Sequence, residues 1–239
     1  MKILALEFSS ARRGVAVVEA VPATCSRRPE EAWAATEGDG KSPPLDVRAL
    51  GLAEAEGITP GPFDLIESAL RAAGLEREQI GCIAVGLGPG SYTGVRSAIA
   101  LAQGWQLATG VKLLGISSAE VLAATAQSAG LTGRVAVVID ALRGEFYSAN
   151  YEVAAAGWSE SAPLRLLNRE AVEASATGGA TIVSPDAKCP FAGFKLLWPS
   201  ASELGRLAAR RSNFQPGEKL EPIYLRETTF VKAPPPRRY

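Results

Sequence analysis

Two stretches of this sequence share one form, and that form limits the fold more than any other feature. Ile3-Leu4-Ala5-Leu6-Glu7 is an apolar run that ends in an acid. A short polar turn follows, then Gly14 and a second apolar run over 14–21. The same order recurs as Val137-Val138-Ile139-Asp140, a turn closed by Gly144, and an aromatic-rich run over 145–153. Apolar runs of this length bounded by turn residues predict β-hairpins. The pair therefore predicts an α/β chain of two related lobes, each opened by an acid-tipped hairpin. The shared stretch is short and the turns differ in length, so a chance likeness is the other reading. On the two-lobe reading a ligand sits in the cleft between lobes. Glu7 and Asp140 would then face it, as carboxylates able to hold a metal-bound phosphate or a water.

Between the hairpins the pattern predicts alternating strands and helices. A third strand is expected over 45–53, and a helix over 63–73, where Phe63, Ile66 and Leu70 recur at helical spacing before Gly74. The continuous apolar run 80–87 reads as a central strand, with Cys82 a buried small hydrophobe inside it. A short strand over 111–114 leads to a helix capped by Ser117 or Ser118. Further strands are expected over 164–168 and 180–183, with a helix over 169–176 between them and a last helix over 200–213. Residues 22–44 read as an exposed excursion. The lobes are placed at 1–112 and 113–239.

The segment Gly88-Pro89-Gly90-Ser91-Tyr92-Thr93-Gly94 joins the central strand to a helix over 94–109. Gly88 and Gly90 permit positive φ and close backbone approach, and Ser91 or Thr93 can cap the helix. Free N–H groups at such a helix start suit an anion; a plain strand-to-helix connection explains the same residues. No Gly-Lys-Ser/Thr follows, so it is not a Walker A loop. The helix behind it is apolar on more than one side, which calls for burial on two faces. Its own sheet covers one; the other needs a second lobe or a second chain.

Composition removes several chemistries. The 239 residues contain no histidine, which excludes His-based acid–base catalysis, Ser-His triads and His-ligated metals. Cys25, Cys82 and Cys189 are widely spaced, so neither a metal site nor a disulfide framework is expected. Lys+Arg and Asp+Glu number 25 each. A chain that held RNA alone would carry a basic surplus, so any nucleic-acid role is expected to need a partner. A charge after six residues without a cleavage site argues against a signal peptide, and no apolar stretch nears about eighteen residues. The expected compartment is the cytoplasm, with no membrane span.

Gly88-Pro89-Gly90-Ser91-Tyr92-Thr93-Gly94-Val95-Arg96, followed by Ala100-Leu101-Ala102-Gln103-Gly104, resembles the signature of the TsaB (YeaZ) family. The opening 3–11, Gly115-Ile116-Ser117-Ser118, the stretch 138–147 and Glu221-Pro222-Ile223-Tyr224-Leu225-Arg226 resemble that family in the same order. The resemblance implies a two-lobed actin/hexokinase-like fold (ASKHA, ribonuclease-H-like). It implies a non-catalytic subunit, without cofactor or metal, that activates a TsaD-like catalytic subunit, with a TsaE-like ATPase joining. Together these transfer threonylcarbamoyl from its adenylate to N6 of adenosine 37 in tRNAs that read ANN codons, so tRNA is met only through the complex. Pairing is implied through the first two helices, here at Phe63, Ile66, Leu70, Val95, Ala98, Ile99, Ala102 and Trp105; a homodimer is left open. Glu7, Ser9, Ser10, Gly88, Gly90, Ser91 and Asp140 would be the remnant of a nucleotide or phosphate loop. Glu7 stands where the family usually has Asp. The competing reading is an ASKHA-type small-molecule kinase, with Glu7 and Asp140 holding Mg-ATP.

Overall fold

The computed structural model describes residues 1–22, 45–176 and 178–226. β1 (Lys2–Glu7) pairs antiparallel with β2 (Arg12–Pro22), which pairs antiparallel with β3 (Leu45–Glu56). α1 (Pro62–Ala73) leads to β4 (Cys82–Gly86), and α2 (Tyr92–Thr109) to β5 (Lys112–Ile116). β4 lies parallel to β1, and β5 parallel to β4, so the first sheet runs β3-β2-β1-β4-β5. Its central strands are buried on both faces, which is why β1 and β4 read as unbroken apolar runs.

The two faces bury different side chains, as the two-residue period of a strand requires. Leu4, Leu6, Val15, Val17, Ile83 and Val85 pack under α1 and α2. Ile3, Ala5, Ala16, Val18, Cys82 and Ala84 pack under α5 (Ala201–Ala209). Burial pushes the Cys82 thiol up to about 11, as expected of a cysteine used as a small hydrophobe.

The second sheet repeats the first. After α3 (Ser118–Ser128), β6 (Gly133–Asp140), β7 (Glu145–Ala154) and β8 (Gly157–Asn168) form an antiparallel meander. α4 (Arg169–Ala176) then leads to β9 (Thr181–Ser184), parallel to β6, and β10 (Lys195–Leu196), parallel to β9. The order β8-β7-β6-β9-β10 matches β3-β2-β1-β4-β5 strand for strand and direction for direction. The acid-tipped hairpins are thus equivalent openings of two lobes of one topology. α3 covers the second sheet with Ala119, Leu122, Ala123 and Ala126, and sends Val121 toward the first. It meets α5 through Ser200 N–H to Thr125 Oγ1 at 3.2 Å and an Arg211–Glu120 ion pair. Two helices therefore lie between the sheets.

Sequence and structure differ at edges and boundaries. The expected lobe boundary at 112/113 falls inside β5, which still belongs to the first sheet, and α5 from the second half returns to cover that sheet. β8 begins at Gly157 rather than 164: an edge strand is paired on one side, so Ser159, Glu160 and Ser161 need not be apolar. Pro163 falls where the β7–β8 register slips, a place that needs no donor. The last helix ends at Ala209, and Arg211 turns out of it to meet Glu120. The excursion read over 22–44 lies, beyond Pro22, outside the described residues.

α1 sits so close to β3 that a Cβ on Gly51 would lie 2.2 Å from the Ala69 carbonyl oxygen. Gly51→Ala must push the helix off the sheet, and should cost at least about 1–3 kcal/mol in urea unfolding.

Candidate functional site

The tip of β1, the loop after β4 and the start of α3 meet at one buried junction. Glu7 is fully buried. Its Oε1 accepts the Ser9 N–H at 3.0 Å, and the Ser118 hydroxyl lies 3.1 and 3.0 Å from the two carboxyl oxygens. Ser118 also receives the Gly88 N–H on its Oγ at 3.1 Å and gives its own N–H to the Gly88 carbonyl at 2.7 Å. β4 must leave room for this carboxylate, because a Cβ on Gly86 would stand 2.1 Å from Oε2. Burial pushes the Glu7 carboxyl above the usual range; the hydrogen bonds from Ser9 and Ser118 work against that rise.

The glycine loop closes onto the same tip. Gly88 and Gly90 have φ of 79° and 147°. A Cβ on Gly90 would lie 2.1 Å from the Ser9 carbonyl oxygen, and one on Gly94 2.0 Å from that of Phe8. Ser91 N–H donates to Ser9 O at 2.6 Å, and Ser91 Oγ caps α2 by accepting the Gly94 N–H at 3.2 Å. Ser10 Oγ donates to Arg12 O at 2.8 Å. Of the N–H groups at this helix start, that of Ser91 is turned onto the Ser9 carbonyl and that of Gly94 onto the Ser91 hydroxyl. Glu7, Ser9, Ser10, Gly88, Gly90 and Ser91 are thus brought together, the first four buried and Gly90 and Ser91 exposed at the rim.

Asp140 belongs to a different cluster. It is exposed at the end of β6, its Oδ1 accepts the Leu142 N–H at 2.7 Å, and its own N–H donates to Asp186 Oδ2 at 2.8 Å. Burial raises the Asp186 carboxyl, and the neighbouring Asp140 charge adds to it. A hollow of about 280 Å³ opens here, lined by Asp140, Arg143, Ser184, Asp186, Lys188 and Cys189. Among the described residues no group of three or more His, Cys, Asp or Glu is placed to hold a metal.

The expected partner face shifts. Ile66, Leu70, Val95, Ala98, Ile99 and Ala102 are buried in this chain's own core, and Ile66 also lines the outward hollow between α1 and α2. Helical spacing explains it: positions 95, 98, 99 and 102 form the stripe that α2 lays on its sheet. Phe63 is 66% exposed and Trp105 half-buried. With Ala100, Leu101, Gly104 and Ala108 they line an apolar hollow of about 580 Å³ on the outward side of α1 and α2. Arg96 lies over the Tyr92 ring at 4.3 Å and donates to the Tyr224 hydroxyl at 3.2 Å.

Ser118, Gly86, Ser184 and Asp186 were not among the residues expected at a site. Ser118 stood out as a cap candidate and within the family-like stretch 115–118; Ser117 takes the cap position, without a side-chain cap bond, and frees Ser118 for Glu7. Gly86 is hidden in an apolar run.

Two sheets of one topology, acid-tipped at the first strand of each, with two helices between them, define an α/β protein of the two-lobed actin/hexokinase-like class. The family described as "TsaD: tRNA N6-adenosine threonylcarbamoyltransferase" matches residues 63–185, just over half the chain. The chain belongs to that family, and within it to the TsaB/YeaZ group. It is 36% identical over 88 residues to an Escherichia coli protein named for tRNA threonylcarbamoyladenosine biosynthesis, TsaB, covering 37% of this chain and 38% of that one. A Bacillus subtilis TsaB is 32% identical over 87 residues, 36% of this chain and 37% of that one. These matches span well under half the length of those relatives. YeaZ from Pseudomonas aeruginosa superposes with a TM-score of 0.71 at 25% identity, covering 94% of this chain and 99% of that one. No helix among the described residues is long and apolar enough to cross a membrane.

A carboxyl raised in the folded state binds its proton more tightly there than in the unfolded chain. Its contribution is therefore full below the unfolded value, about pH 4, and is lost as pH rises through the folded one. Glu7→Gln keeps an acceptor for Ser9 N–H and removes the charge. Unfolding free energies from about pH 4 to neutrality should fall more steeply in the parent than in Glu7→Gln. Parallel curves would contradict the buried, proton-holding carboxyl.

Proposed function

We propose that this chain serves tRNA threonylcarbamoyladenosine biosynthesis as a non-catalytic, activating partner of a TsaD-like subunit, acting through its surface. The transfer itself, of threonylcarbamoyl from its adenylate to N6 of adenosine 37, is assigned to that partner, with a TsaE-like ATPase joining and tRNA met through the complex. The names of the relatives support the pathway. The observation that carries the non-catalytic role is the engagement of the acid and the loop by the chain itself. Glu7 is buried and held by Ser9 and Ser118, and the backbone of Phe8 and Ser9 fills the side of the glycine loop that faces it. A kinase reading would ask for an open phosphate cradle at that loop. No cofactor or metal is assigned to this chain, and the work is placed in the cytoplasm.

The partner face is assigned to the outward hollow of α1 and α2. Small residues at Ala100, Gly104 and Ala108 let another backbone approach, while Phe63, Leu101 and Trp105 supply apolar area. Aromatic anchors set in such hollows carry much of an interface's energy. A homodimer through this face would compete with the partner.

Gly104 is exposed, and a Cβ there meets nothing within 4 Å, so a large residue is tolerated by the fold itself. Gly104→Arg should leave the melting temperature within a few degrees and weaken binding of the purified TsaD-like partner at least about tenfold, or 1.4 kcal/mol. Unchanged affinity by calorimetry would remove this face from the proposal.

A further inference from the structure

We propose that Glu221–Arg226 is an interlobe strap, and that Arg226 is a positioning residue that fixes the angle between the two lobes. The segment carries no helix or strand, yet it is bonded at both ends. Ile223 N–H donates to the carbonyl of Leu87, the residue that follows β4 of the first sheet. Tyr224 accepts from Arg96 Nε on α2 at 3.2 Å, and its ring stacks on Tyr92 with centroids 5.9 Å apart. Three residues beyond Ile223, Arg226 reaches the other lobe. Its Nη2 donates to Ala141 O at 2.9 Å and Leu142 O at 3.1 Å, and it pairs with Glu145. Ala141 and Leu142 lie in the turn that joins β6 to β7, and Glu145 opens β7.

The geometry makes this segment a limit on opening. Three residues span at most about 10 Å when extended. Leu87 follows β4 of the first sheet and the 141–145 stretch follows β6 of the second, so the strap ties strand exits in different lobes. A hinge that moved them apart by much more than the arginine side chain's slack must break one end of the strap. The lobe-two end is built for this side chain. Leu142 and Arg143 both have positive φ, 63° and 61°, a conformation that non-glycine residues hold only where surroundings enforce it. The guanidinium bonded to Ala141 O and Leu142 O supplies such an enforcement. A lysine would keep the charge opposite Glu145 but lacks the planar fork.

The test is a distance between lobes in the full chain. Nitroxide labels are placed at Glu56→Cys and Glu170→Cys, both exposed and on opposite sheets' elements, in a chain whose Cys25, Cys82 and Cys189 are alanine, with unlabelled chain in excess. Pulsed electron resonance then reads the distance distribution. Arg226→Ala should broaden it and lengthen its mean, and Arg226→Lys should fall between Ala and the parent. Ile223→Pro removes the donor at the other end and should broaden it likewise. If Arg226→Ala does not fold, Ile223→Pro decides alone. A distribution unchanged in the folded variants would overturn the strap.

Discussion

A carboxylate buried away from water holds this structure together at its most crowded point. Glu7 ends β1, the strand that pairs with both β2 and β4, and its side chain turns inward. There the Ser118 hydroxyl binds it, and Ser118 in turn binds both backbone groups of Gly88. Buried polar groups are tolerable only when such partners are present. Removing one partner leaves the other exposed to the full desolvation cost, about 1–3 kcal/mol. The first sheet, the glycine loop and the first helix of the second lobe are therefore fixed together. Gly86, Gly90 and Gly94 follow from that fixation, since each stands where a Cβ would strike the tip of β1.

The two lobes treat the same position in opposite ways. Asp140 ends β6 as Glu7 ends β1, but it is exposed, bonded to its own turn and to Asp186, beside an open hollow. Glu7 has no such access. One methylene more than aspartate gives it the reach to lie between Ser9 and Ser118. An acid that could have faced the cleft instead stiffens the scaffold.

Much of the fold was legible in the sequence because strands buried on both faces are written as unbroken apolar runs. Residues 3–6, 82–86 and 135–139 announced their strands, and the acid at the end of β1 and β6 announced the repeat. β8 was half missed because an edge strand carries polar residues such as Glu160 without cost. The site was partly legible: Glu7, Ser9, Gly88, Gly90 and Ser91 do meet. Their closure onto one another was not, because it depends on backbone segments distant in sequence lying too close to admit a Cβ. Ser118 and Gly86 are ordinary residues there until the tip of β1 is placed against them. On α2, apolar residues all round the helix hid the difference between the stripe 95, 98, 99, 102 and the outward face around Gly104.

The account assigns function to a surface and structure to the buried acid, and one measurement separates the two. In cells depleted of their own TsaB-like subunit and supplied with this chain and its TsaD-like partner, threonylcarbamoyladenosine in tRNA can be measured by mass spectrometry. The account predicts that the parent chain and Glu7→Gln restore the modified base to the same level, and that Gly104→Arg does not. Loss of the base in Glu7→Gln with its restoration in Gly104→Arg, both proteins being soluble and folded, would contradict it.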